Sequence, residues 1–172
     1  SNLTTEQNQR VNIASSSANS LLVLINDILD FSKIEADKLE LESVDFDVRA
    51  LIESIAQSVA QLAQEKGLEV VVDVSKISES KINSDPSRIQ QILTNLLSNA
   101  VKFTEKGELS VTAELLPSDS KNSALLHISV ADTGIGIPAS KLPHLFDAFT
   151  QVDASTTRRY GGTGLGLSIT KK

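Results

Sequence analysis

The 172-residue chain contains no cysteine, which excludes disulfide staples and thiolate-held metal sites. It also has no apolar run of membrane-spanning length. The longest, Leu21 to Ile25, is interrupted at Asn26 and Asp27, far short of the roughly 20 residues a bilayer requires. Basic residues are in deficit: 16 Lys and Arg stand against 22 Asp and Glu, a formal net charge of -6. That balance speaks against nucleic acid as a partner, because a phosphate backbone needs a basic face. Only two histidines occur, His127 and His144. The first alternates with apolar neighbours and the second follows a proline, so both read as structural. A chain of this length holds one domain with a proper core plus an extra element, not two large domains.

Val11, Ala14, Ala18, Leu21, Ile25, Ile28 and Ser32 repeat at alternating spacings of three and four. This is the seam of a coiled coil or helical bundle. An amphipathic helix packed on its own domain would show the same pattern; a partner helix is favoured because the charged stretch Lys33 to Glu42 then leads the chain away. Leu39, Leu41 and Val44 to Phe46 predict a strand, and Asp47 an N-cap for a helix through Lys66 closed by Gly67. Leu68 to Val74 is β-branched and predicts a strand. Asp85-Pro86 is the best helix start in the chain, an N-cap followed by proline at the first helical position. Leu109 to Leu116 and Leu125 to Val130 predict paired strands joined by Pro117 to Ser123. After Pro138 a short helix is expected to carry Leu142, Leu145, Phe146 and Phe149, and Gln151 to Tyr160, without apolar periodicity, reads as a lid. The expected class is α/β: a sandwich with helices on one face of a mixed sheet, preceded by a long bundle helix.

Two glycine clusters flank that lid, Asp132-Thr133-Gly134-Ile135-Gly136-Ile137-Pro138 and Gly161-Gly162-Thr163-Gly164-Leu165-Gly166-Leu167. Glycine runs let backbone amides approach a ligand, and one that opens a helix aims unpaired N–H groups at an anion. Tight turns would need the same residues. A third segment, Asn95 to Phe103, favours a ligand. On a helix Asn95, Asn99 and Lys102 fall within an arc of about 60°. Ile89, Ile92, Leu93, Leu96 and Ala100 fill the neighbouring arc, so one side is expected to be buried and two carboxamides and an ammonium to lie along its margin. The negative net charge does not forbid a phosphate ligand. At about 4 Å one Lys–phosphate contact is worth roughly 4 kcal/mol at an effective dielectric of 20, while distant charges are screened beyond about 8 Å.

These segments, with the aromatic pair in Phe146-Asp147-Ala148-Phe149, resemble in type and order the ATP-binding domain of the histidine protein kinases, within the GHKL (Bergerat-fold) superfamily. The resemblance runs from about Leu21 to the C-terminus. It implies ATP and Mg²⁺ as cofactors, with Asn99 as the Mg²⁺ ligand, a hard oxygen donor, against the alternative of a helix-surface asparagine. Lys102 would reach the phosphates, and Asp132 would accept from the adenine amino group, with Gly134 and Gly136 letting the base lie close; turn capping is the other reading of Asp132. Phe103 packs against the purine or belongs to the core. Gly162, Thr163, Gly164, Leu165 and Gly166 would cradle the phosphates, and Arg158, a better match than Arg159, would stabilise the γ-phosphate. Phe146 and Phe149 read as lid anchors. Asn95, Lys102 and Arg158 are the catalytic candidates. Related ATPases carry a water-activating glutamate where this chain has Asn95, and a carboxamide cannot take a proton in that role, so rapid hydrolysis is not expected.

The same resemblance divides the chain into residues 1–38, one helix of a dimerisation and phosphotransfer hairpin, and residues 39–172, the ATP-binding domain. It implies a homodimer through the N-terminal helix, a response-regulator receiver domain as partner, cytoplasmic location and no membrane contact by these residues. An acceptor histidine, normally in a His-Glu-x-x-x-Pro setting, is missing. The chain is therefore expected to be a fragment, clipped at both ends, that binds ATP without phosphorylating itself. Asp30 to Ala36 and Phe149 to Asp153 most resemble the hybrid sensor kinases. A non-catalytic nucleotide-binding or dimerisation module, and a GHKL ATPase, are the competing readings.

Overall fold

The computed structural model describes residues 3–120, 123–150 and 164–171. Its first element, α1 (Thr5–Glu35), opens with a capping box: the Thr4 hydroxyl accepts from the Gln7 amide, and the Gln7 side chain accepts from the Thr4 amide. No glycine or proline interrupts its 31 residues. The predicted seam is helical, and Val11, Leu21, Ile25 and Ile28 remain exposed along it. Among the described residues no helix is long and apolar enough to cross a membrane.

Beyond α1 the chain forms β1 (Val44–Asp47), α2 (Val48–Glu65), β2 (Glu69–Lys76), β3 (Lys81–Ser84), α3 (Pro86–Phe103), β4 (Glu108–Pro117) and β5 (Ala124–Asp132). The strand expected to take in Leu39 and Leu41 begins only at Val44. Among the described residues its one ladder partner is the four-residue β3, antiparallel from Val44↔Ser84 to Asp47↔Lys81, and Leu41 lies outside that ladder and is exposed. β3 gives no sequence signal, since Ile82 is its one apolar residue. Asp47 caps α2 by accepting from the Ala50 amide at 2.9 Å. Gly67 ends that helix at φ 71°, and the Leu68 amide returns to the Ala63 carbonyl, the left-handed stop that glycine makes inexpensive.

The larger sheet runs β2-β4-β5, with β2 parallel to β4 and β4 antiparallel to β5. Leu109, Val111 and Ala113 alternate inward from β4 and meet Ile52, Ile55 and Val59 of α2 and Leu93, Leu97 and Val101 of α3. Val71, Thr112 and His127 on the other face are exposed. This is the expected α/β sandwich. The buried side of α3 is rotated from the sequence expectation: Leu93, Leu97, Ala100 and Val101 are buried, whereas Ile89, Ile92 and Leu96 are half-buried. Because α3 packs against α2 as well as the sheet, Leu97 and Val101 turn inward and the Asn95 side stays at the edge.

Asp85 caps α3, accepting from the Arg88 and Glu42 amides at 3.0 Å each. The helix expected to carry Leu142 to Phe149 is only a 3-10 turn over Leu142–His144. Pro143 lies in its first turn, where proline is tolerated, and the turn goes no further because Leu142 and Phe149 stay exposed and give a longer helix little apolar surface to bury. A final helix, α4 (Gly166–Lys171), follows the second glycine cluster.

Candidate functional site

The site is assembled along α3. Asn95, Asn99 and Lys102 occupy one margin, each half-buried, because the opposite side of the helix is taken by the core. The Asn99 amide donates to Asn95 Oδ1 at 3.4 Å, and Asn95 Nδ2 donates to Thr170 Oγ1 of α4 at 3.0 Å. The Thr170 hydroxyl donates in turn to the Gly166 carbonyl at 2.9 Å. A Cβ on Gly166 would strike the Asn95 carboxamide, so the close seating of α4 on α3 depends on that glycine. Leu165 is buried beside it, and the Ser168 hydroxyl donates to the Leu165 carbonyl at 2.7 Å. Gly164 stands at φ 70° and its carbonyl accepts from the Phe149 amide at 3.0 Å.

At its C-terminal end α3 holds the first glycine cluster. The Ile135 amide donates to the Phe103 carbonyl at 3.3 Å, and the Asp132 carboxylate accepts from the Gly134 amide at 2.9 Å. Thr133 ties the turn to β4: its hydroxyl accepts from the Glu108 amide at 3.0 Å. A Cβ on Gly134 would lie 2.5 Å from the Phe103 carbonyl, 2.7 Å from Asp132 Oδ1 and 2.9 Å from Thr104 Oγ1. Gly136, at φ 67°, faces open space. Asp132 is exposed at the end of β5.

Lys102 Nζ lies 4.8 Å from the centroid of the half-buried Phe103 ring. Burial pulls the Lys102 ammonium below the ordinary lysine range, the direction expected of a cation withdrawn from water and reversed by an adjacent anion. α3 thus brings together Asn95, Asn99, Lys102 and Phe103 with Asp132 and Gly134 at one end and Gly164, Leu165 and Gly166 at the side. Arg158, Gly162, Thr163 and the expected lid lie outside the described residues. His127 and His144 face carboxylates, Glu114 at 3.1 Å and Asp147 at 2.8 Å.

Two groups escaped the sequence reading. Thr170 lies one turn after Gly166, a helical spacing that marks it only once α4 is known to pack on Asn95. The other is the seat of α1. Arg88 of α3 donates to Asp30 at 2.7 Å and Gln91 donates to the same carboxylate oxygen at 2.7 Å. Burial pushes the Asp30 carboxyl up, but these bonds and the Arg88 charge outweigh it and hold it below the usual carboxylate range. Phe31 meets Phe149 edge-on, with ring centroids 6.1 Å apart. Phe149 therefore contacts the bundle helix in this arrangement, while Phe146 has Lys171 5.8 Å from its centroid.

Comparison with known proteins identifies the family and the fold. The family model described as histidine kinase-, DNA gyrase B- and HSP90-like ATPase matches residues 84–172. The signal transduction histidine-protein kinase BarA of Escherichia coli is 45% identical over 170 residues, 99% of this chain and 18% of BarA. The sensor protein GacS of Pseudomonas syringae is 45% identical over 172 residues, 100% of this chain and 19% of GacS. The chain spans about a fifth of the length of these curated relatives. The crystal structure of full-length ShkA in complex with AMPPNP superposes with a TM-score of 0.75 at 36% identity, covering 98% of this chain and 34% of ShkA. On the family match, the chain belongs to the histidine kinase-, DNA gyrase B- and HSP90-like ATPases.

Proposed function

We propose that this chain is the ATP-binding catalytic domain of a two-component sensor histidine kinase, of the hybrid type, joined to one helix of its dimerisation hairpin. The observation that carries the reading is the double use of α3. Its margin offers Asn95, Asn99 and Lys102 beneath Gly164–Gly166, and its last carbonyl holds the Asp132–Ile135 turn. A nucleotide fits that span with its base at Asp132 and its phosphates near Lys102. Full-length ShkA, to which the chain is similar, was crystallised in complex with AMPPNP, which supports a nucleotide as the ligand.

In this reading Asp132 accepts from the adenine amino group, and Gly134 and Gly136 let the base approach the turn. Phe103 flanks the purine. Lys102, partly desolvated, attracts the phosphates, and Gly162, Thr163, Gly164, Leu165 and Gly166 line their other side. Asn99 is the Mg²⁺ ligand in this reading: its amide nitrogen is engaged with Asn95, and its oxygen remains as a hard donor for the ion. Among the described residues no three His, Cys, Asp or Glu form a cage, and an ion held by one protein donor, phosphates and water needs none. When bound, Mg²⁺ neutralises charge on the transferring phosphate. Arg158 shares that task from the lid stretch that precedes the second glycine cluster.

Asn95 donates to Thr170 and cannot serve as a base, which favours phosphoryl transfer to a side chain over hydrolysis. The acceptor is a histidine other than His127 and His144, each turned to a carboxylate. The exposed apolar seam of α1 supports assembly as a homodimer, with a receiver domain as the next phosphate acceptor, and the reaction belongs in the cytoplasm. The test supplies a separate hairpin bearing an acceptor histidine, with γ-labelled ATP. Transfer of label to that histidine is expected; none with several folded hairpins, despite ATP binding, would overturn kinase function.

A further inference from the structure

Thr104 is fully buried at the C-cap of α3, and its Oγ1 has no hydrogen-bond partner among the described residues. The other orphaned buried atom, Arg49 Nε, belongs to a guanidinium that reaches the Ile77 carbonyl through a second nitrogen. Thr104 has one hydroxyl and no such alternative. Buried hydroxyls without partners are uncommon because each bears its full desolvation cost. One kept beside a binding turn suggests a partner acquired in another state.

The surroundings identify that partner. A Cβ on Gly134 would lie 2.9 Å from Thr104 Oγ1 and 2.7 Å from Asp132 Oδ1, so both oxygens crowd the same side of one glycine. The turn cannot drift away, since the Ile135 amide is bonded to the Phe103 carbonyl at 3.3 Å. Asp132 Oδ1 now accepts from the Gly134 amide at 2.9 Å. Rotation about the broad χ2 of an aspartate re-aims a carboxylate at little cost.

We propose that Thr104 is a positioning residue for purine recognition: when the Asp132 carboxylate turns toward a bound base, the Thr104 hydroxyl donates to it and holds it as an acceptor. The role rests on the reading of Asp132 as the adenine acceptor. It acts through Asp132, and its signature is selectivity at position 6 of the purine, where adenine carries an amino donor and hypoxanthine an oxo acceptor.

The experiment titrates the chain with ADP and with inosine diphosphate, comparing wild type, Thr104→Val, Thr104→Ser and Asp132→Asn by calorimetry, with thermal melts alongside. Thr104→Val is expected to melt no lower than wild type, since it removes an orphan. It should bind ADP about tenfold more weakly, the loss of one hydrogen bond to a charged group, and inosine diphosphate almost unchanged. Thr104→Ser should restore the preference. If valine does not fold, Thr104→Ala carries the same expectation for the ADP preference. An unchanged ADP preference in Thr104→Val, beside its collapse in Asp132→Asn, would overturn the Thr104 role and leave Asp132 standing. A wild-type preference in Asp132→Asn would remove both.

Discussion

Asn95 and Thr170, 75 positions apart, are joined by a 3.0 Å hydrogen bond that seats α4 against the asparagine margin of α3. Thr170→Val keeps the volume and removes the bond to Asn95 and that to the Gly166 carbonyl. Stability should fall by about 0.5–1.5 kcal/mol for each bond lost, and ATP affinity should fall severalfold as α4 loses its seat. Calorimetric titration beside a denaturant melt separates the two effects; a melt that shifts while affinity holds would leave the bond a purely structural one.

Gly134 and Gly136 should differ in kind when changed to alanine. At Gly134 the new Cβ meets the backbone carbonyl of Phe103 at 2.5 Å, which cannot yield without moving the turn. An overpacking cost of about 1–3 kcal/mol and loss of ADP binding are expected. At Gly136 there is space, but φ 67° imposes about 1 kcal/mol of left-handed strain. Urea unfolding of the pair checks the order, and equal costs would contradict the packing at Gly134.

Asn99→Ala should abolish the difference between ATP-analogue affinities measured with and without Mg²⁺, while leaving adenosine binding intact. Retention of the full Mg²⁺ effect would exclude Asn99 as the ligand.

Lys102 has a pKa held down by burial, so its charge is lost at lower pH than that of an ordinary lysine. A polyphosphate restores the charged form, and affinity for ATP should therefore weaken as pH rises through this lowered value. Lys102→Met should flatten that alkaline limb. Titrations of both proteins across the alkaline range provide the measurement.

Asp30 and Asp85 both have carboxyls below the usual range. In Asp30, bonds from Arg88 and Gln91 prevail over burial; in Asp85 the Glu42 amide is the largest cause, against burial, with the Arg88 amide assisting. Their contribution is present above the unfolded value near 3.8 and is lost as pH falls through the depressed folded values. Asp30→Ala should cost roughly 1–2 kcal/mol, less than a fully buried pair, and should leave the C-terminal end of α1 open to proteolysis. Acid-unfolding curves should show wild type losing its advantage over the variant below about pH 4.

The starts of α2 and α3 were legible, as was the end of α2: Asp47 and Asp85 cap the helices that follow, and Gly67 stops α2, because capping uses only neighbouring backbone groups. The asparagine margin of α3 was legible from its period. β3 was not, since one apolar residue in four does not announce a strand, and Leu41 was misread because a strand needs a partner that local sequence does not show. The helix expected after Pro138 shrank to one 3-10 turn because apolar spacing does not show whether Leu142 and Phe149 have anything to bury against, and both stay exposed.

By itself, then, the sequence determined the caps of α2 and α3, the α/β class, the glycine clusters and the family to which they belong. Tertiary structure alone decided that Thr170 meets Asn95, that Asp30 meets Arg88 and Gln91, and that Thr104 lies buried beneath Gly134. Local patterns arise from neighbours a few residues away, whereas these contacts depend on how α3 is rotated between α2 and the sheet, which only the packing of the whole core sets.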